Sequence, residues 1–228
     1  ASAEEVVAGQ TFTLTNNTDV NSAITFNAPR VYTPGGNDRV NSLQDEDSLT
    51  GLGNSASLTA VLGEPNDAAG AIITPAMSNI KTVNVTFAAS NTAMTLNMQD
   101  SVGTETVNVS RISGGQIATV DDLLATTTAL SVSNTNAQGV AHLLYQDSQL
   151  DGTQEVTVTL DDADLATILV GSTAATPTEG IETLNINASG ALSTVTSFDN
   201  LADNVAATNQ NINITAAVDL TITGFTDD

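Results

Sequence analysis

Short stretches along this chain alternate a branched apolar residue with Thr, Asn or Ser. Three of them, residues 79–86, 103–110 and 180–187, share one word, spelled Thr82-Val-Asn-Val85, Thr106-Val-Asn-Val109 and Thr183-Leu-Asn-Ile186. Looser copies lie at 127–133, 152–160, 211–215 and 217–223. Alternation with period two predicts strands with one buried and one wet face. The inward set is then Val83, Val85, Val107, Val109, Val156, Val158, Leu184, Ile186, Ile212 and Ile214. A slip of one residue would bury the polar set instead, so the register is strongly specified.

The spacers between copies are long, uneven and polar. Tight hairpin dipeptides are scarce, Asp151-Gly152 being the only Asp-Gly or Asn-Gly pair,. The pattern therefore predicts an all-β parallel solenoid, of the β-helix or β-roll kind, with each copy stacked on the last. An antiparallel β-sandwich is the alternative, because it also needs many short strands. Three segments read as short helical loops between strand layers: 119–125, 136–145 and 161–170, the last with early acids and Gly171 behind it,. Residues 1–75 look different from the repetitive remainder. They contain strand-like 11–15 and 23–27, a glycine-rich acidic turn, and strand-like 56–62. Two segments are expected, 1–75 with the turn and 76–228 as the Thr/Asn-rich solenoid.

Composition sharpens this picture. Of 228 residues 40% are hydrophobic but only 3% aromatic, with no Trp, so the core is built from Ala, Val, Leu and Ile. Small branched side chains suit thin stacked layers. Against 26 Asp and Glu stand four Lys and Arg, a formal net charge of −22. Such a chain repels nucleic-acid phosphates and anionic bilayers, so neither nucleic acid nor membrane insertion is expected. No apolar run reaches the roughly 18 residues of a spanning helix. There is no Cys, hence no disulfide and no thiolate metal site,. The start at Ala1-Ser2-Ala3, without Met or a signal-like region, reads as a fragment or as a chain whose ends were removed or left out,.

The acids need cations, and calcium is the hard dication that oxygen ligands hold. The segment 34–54 gathers glycines with Asp38, Asp45 and Asp47, followed by apolar Val40, Leu43, Leu49 and Leu52 that can anchor the turns. Its candidate calcium ligands are Gly36, Asn37, Asp38, Asp45 and Asp47. A second, weaker candidate is Asp161, Asp162 and Asp164, although acids in the first turn of a helix need no metal to explain them.

Gly36-Asn-Asp-Arg-Val40 with Asp45-Glu-Asp-Ser-Leu49 resembles a degenerate calcium turn of the repeats-in-toxin (RTX) type, and the Thr-Val-Asn-Val words resemble those of RTX-type bacterial surface-layer proteins and large secreted adhesins,. The motif covers about residues 33–53 and lacks a tandem nonapeptide array. Serines at 55 and 57 stand where a further Asp would be expected. The resemblance implies calcium between stacked parallel strands, export without a cleaved leader, and residence at the bacterial cell surface.

Catalytic signals are weak. His142 is the sole histidine, set among Ala141, Leu143 and Leu144, and reads as structural,. No Gly-x-Ser-x-Gly elbow occurs,. Sugar-cleaving clefts present aromatic platforms, and the chain has two Tyr and no Trp. The expectation is therefore a non-enzymatic, calcium-dependent structural subunit that associates with copies of itself in a surface layer or filament. The alternative is an adhesin module gripping a host, a surface or a glycan, with cell-surface polysaccharide as a further partner. Recognition surfaces favour exposed aromatics with Arg, and Tyr32 with Arg30 and Arg39 is the one such cluster in the sequence,.

Overall fold

The computed structural model describes residues 10–33, 35–36, 38–63, 71–88, 93–136, 138–150, 152–172, 180–201 and 211–227. Nine strands form one parallel sheet in chain order: Thr11–Thr13, Thr25–Ala28, Ser57–Leu62, Thr82–Phe87, Thr106–Ser110, Ala129–Ser133, Glu155–Asp161, Thr183–Ala188 and Asn211–Ala216. A second parallel sheet stacks Ala71–Ile73, Ala93–Asn97, Ile117–Leu123, Gly139–Tyr145, Asp164–Ser172, Ser193–Leu201 and Leu220–Asp227. A third holds Val20–Ala23, Ser48–Gly51, Ala76–Ser78 and Ser101–Val102. Between Ser48 and Val102 each coil visits all three sheets, and beyond that it alternates between the first two. This is a parallel β-solenoid. The sandwich alternative falls, because 83–85 and 107–109 pair in parallel, and 184–186 lies in the same parallel ladder.

Stacking is in register. Ser57, Thr82, Thr106 and Ala129 sit one above the other, so successive coils take 25, 24 and 23 residues. From Ala129 the steps to Thr157, Asn185 and Asn213 are 28 residues each. Repeat words with uneven spacers thus become equal rungs with loops of different length. The first sheet runs unbroken across residue 75, from Ser57–Leu62 to Thr82–Phe87.

The alternating words bury the set the pattern predicts. Val83, Val85, Val107, Val109, Val156, Val158, Leu184 and Ile186 are all buried. Their polar neighbours form side-chain ladders along the outer face. Asn108 Nδ2 donates to Asn84 Oδ1 at 2.8 Å, and Ser131 Oγ donates to Asn108 Oδ1 at 2.7 Å. Further along, Asn213 Nδ2 donates to Asn185 Oδ1 and Asn185 Nδ2 to Glu155 Oε1, both at 2.9 Å. The last rung departs from expectation. Ile212 is only partly buried and Ile214 is 56% exposed, since no described rung lies beyond them. Two ring pairs lie toward the ends of the stack: Phe12 meets Phe26 edge-on at 6.4 Å, and Phe198 stacks on Phe225 at 5.6 Å,.

The expected helical loops are corrected. Residues 119–125 and 136–145 fall largely in the strands Ile117–Leu123 and Gly139–Tyr145, and 161–170 is a sharp corner leading into Asp164–Ser172. Among the described residues the sole helical element is the 3-10 turn Asp147–Gln149. Acids ahead of an apolar run imitate a helix start. Here the neighbouring coils already offer a ladder of backbone partners, and the inward pairs Ala118/Val120, Ala141/Leu143 and Ile168/Val170 pack on one another,.

The register makes a direct prediction. Leu130→Ala, which empties an inward position, lowers unfolding free energy by about 2–5 kcal/mol. Ser131→Ala, which removes one outward hydrogen bond, costs about 1 kcal/mol. Denaturant titration of both variants checks the contrast.

Candidate functional site

The acidic turn is where chemistry was expected. Asp47 is buried, and its carboxylate is used by the backbone: Oδ1 accepts from Asp19 N and Oδ2 from Gln44 N, both at 2.8 Å. Asp45 Oδ1 accepts from Thr74 N at 2.8 Å, 29 residues on. Asp19, which the sequence reading did not single out, takes Thr15 N on Oδ2 at 2.7 Å. The carbonyl of Asp19 accepts from Ser48 N and that of Asp47 from Ala76 N. Asp19, Asp45 and Asp47 therefore tie three successive coils together through main-chain amides. Asp38 has a different place. It lies by the antiparallel pair Arg30–Tyr32 and Arg39–Asn41, where its carbonyl accepts from Thr33 N. Gly36 N bonds back to the Thr33 carbonyl in the same loop, and Asn37 lies outside the described residues. The structure thus brings Asp45 and Asp47 into one turn and places Asp38 beside the antiparallel pair Arg30–Tyr32 and Arg39–Asn41. Among the described residues no group of three or more His, Asp or Glu converges as a metal cage.

Burial pushes the Asp47 carboxyl above its usual 3.8, against the two amide hydrogen bonds that hold it down; the Asp19 and Glu46 charges push the same way as burial,. Asp121 is raised as well, again chiefly by burial. His142 lies half-buried on the second sheet with Nδ1 3.5 Å from Thr119 Oγ1, and burial lowers its pKa from 6.5. Tyr145 is buried with its hydroxyl donating to the Thr127 carbonyl at 2.6 Å, and burial drives its pKa far up. These are packing roles.

The second acidic candidate is a corner of the solenoid. Ser110, Ser133 and Asp161 share a rung position, and Leu160 pairs with Ala188. The residue just after that position is Arg111, Asn134, Asp162 and Gly190 in successive coils. All four are left-handed, with φ of 60°, 51°, 54° and 71°. Asp161 Oδ1 accepts from Ala191 N at 2.9 Å, so a Cβ on Gly190 would strike that carboxylate. Asp164 N donates to Thr135 Oγ1 at 2.8 Å. The Asp161 carboxylate and the Asp164 backbone brace the corner, and Asp162 is exposed on it. Along this column runs a groove of about 560 Å³, lined by Ser110, Arg111, Ser113, Asn134, Asn136 and Asp162 among others. Sequence reading passed over it, because residues 111, 134 and 162 meet only once the register is known.

The Arg/Tyr cluster is engaged with itself. Arg30 Nη2 donates to the Arg39 carbonyl at 3.0 Å and Arg39 Nη2 to that of Arg30 at 3.2 Å, while the Arg39 guanidinium lies 5.7 Å from the centre of the Tyr32 ring. Comparison of the chain with protein-family models, with curated proteins and with solved structures gave no match.

The pKa directions predict how stability depends on pH. For Asp47 and Asp121 the folded value lies above the unfolded one, so the stability each contributes is full below 3.8 and is lost as pH rises through the folded value,. Their share of stability therefore grows on acidification from neutral. His142 acts oppositely, contributing above 6.5 and losing that contribution as pH falls through its lowered value,. Thermal melts across this range should show Asp47→Asn with a shallower acid-side gain than the native chain.

Proposed function

We propose that the chain is a structural, non-enzymatic segment of an extracellular assembly, a bacterial surface layer or filament, that associates with copies of itself and uses calcium to balance its acids. The observation that carries this reading is the in-register parallel ladder, nine strands long in the first sheet. A parallel stack is a quasi-one-dimensional architecture that grows by adding like layers.

Charge supports the cation requirement. Against 26 acids in the chain there is one ion pair among the described residues, Lys81 with Glu105 at 2.8 Å. Packed side by side, such copies repel, and a dication that bridges carboxylates reverses the sign. The Asp45–Asp47 turn is the proposed place for calcium. Glu46 and Asp45 line a shallow recess of about 290 Å³ with Gln44 and Asn41, and carboxylate lone pairs remain there beyond those used by the backbone,.

Electron microscopy of the purified chain in calcium and then in EGTA tests the proposal. Ordered sheets or filaments that disperse on chelation are expected; dispersed single molecules in both conditions would overturn it.

A further inference from the structure

We propose that the groove along the left-handed corner column is a binding site for a short neutral oligosaccharide, with Arg111 as its principal hydrogen-bond donor. The site stands on its own geometry and is independent of the assembly reading.

The backbone supplies the first observation. At this corner every coil from Arg111 to Gly190 needs positive φ. Asn134, Asp162 and Gly190 are residue types that tolerate it, through a short polar side chain or the absence of Cβ. Arg111 does not belong to that group, yet it adopts φ 60°. A residue that breaks a local rule with no gain in packing marks a functional position. Arg111 is exposed and forms no ion pair among the described residues, in a chain with an acid excess of 22 charges.

Side-chain pairing supplies the second. Elsewhere the polar groups of this solenoid bond to one another: Asn84 with Asn108, Asn97 with Asp122, Asn185 with Glu155, and Asp47 with two amides. Ser110 and Thr135 of the groove follow suit, but at four of its residues this pairing lapses. Arg111, Asn134, Asn136 and Asp162 all line it and all are exposed, with no side-chain hydrogen bond to another described residue. They present guanidinium donors, two amides that donate and accept, and one carboxylate acceptor. That set complements adjacent sugar hydroxyls, which also donate and accept.

Volume and charge select the class. About 560 Å³ lies within the range of small-ligand sites,. The polar rim offers little to a flat apolar cofactor. A polyanion such as a uronate chain would meet Asp162 and the negative field of the whole molecule, so a neutral sugar is favoured.

Binding is read by isothermal calorimetry and ligand-observed NMR, with maltotriose, cellotriose, chitotriose and trigalacturonate as probes, on the native chain and on Arg111→Gly. At least one neutral probe should bind the native chain, and Arg111→Gly should weaken it about tenfold or more. The same variant relieves the left-handed constraint, so its melting temperature should be unchanged or higher, which separates lost binding from lost folding. Asn134→Gly, equally compatible with the corner, should weaken binding too. No binding by any neutral probe, binding by trigalacturonate alone, or equal affinity of native and Arg111→Gly chains would overturn the proposal.

Discussion

In a parallel stack, the residue above an inward Val must itself point inward, because neighbouring strands share the same pleat. Val107 lies between Val83 and Leu130, and Leu130 continues to Val158, Ile186 and Ile214. A one-residue slip at any rung would bury Asn108 or Ser131 and expose the apolar column. This matching of alternation to register lets a chain with 3% aromatics hold together. Each layer needs only one or two small branched side chains, and dispersion with area burial accumulates from rung to rung. It also aligns the outward Asn, Ser and Thr, so that amides and hydroxyls find like partners one rung away.

The corners obey the same constraint by different chemistry. Once the strands are in register, the turn that follows must take the same path in every coil, and left-handed φ recurs at 111, 134, 162 and 190. The acids are drawn into this geometry as hydrogen-bond acceptors. Asp47 receives two amides, Asp45 one from the next coil, and Asp161 one from Ala191. A carboxylate that accepts main-chain N–H groups stays ionised more readily, while burial works against it, and at Asp47 burial prevails,. The same carboxylates thus serve as acceptors within the fold, and the formal net charge of −22 is the property from which the proposed need for cations starts,.

Much of the fold was legible in the sequence, for physical reasons. Thr82-Val-Asn-Val85 and its copies declare a two-faced strand, and self-similarity at long spacing declares parallel stacking. The buried set at 83, 85, 107, 109, 156, 158, 184 and 186 follows from alternation alone. Where reading failed, tertiary context outweighed a local signal. Asp161-Asp-Ala-Asp164 before an apolar run has the form of a helix start, yet a turn already fixed by Asn134 below and Gly190 above makes it a corner. Ile214 belongs to the inward column but lies on its last described rung. The acidic turn was found, but the roles of its members were not. Asp38 and Asp47 are nine residues apart in sequence, while Asp47 takes its partner from Asp19, 28 residues away. Such a pairing, like the meeting of Arg111 with Asp162, depends on coil length, which no local pattern encodes.

The absence of Cys from the chain gives a clean means of testing the register. Adjacent parallel strands place paired Cα atoms about 4.8 Å apart, within the range a disulfide spans. Introduced cysteines at the paired outward positions Thr82 and Thr106 should therefore cross-link under mild oxidation, as should those at Thr106 and Ala129. Cysteines at Thr82 and Val107, on opposite faces, should not. Rapid cross-linking of the Thr82/Val107 pair with none at Thr82/Thr106, measured by the gel shift of the oxidised chain, would contradict the in-register parallel ladder.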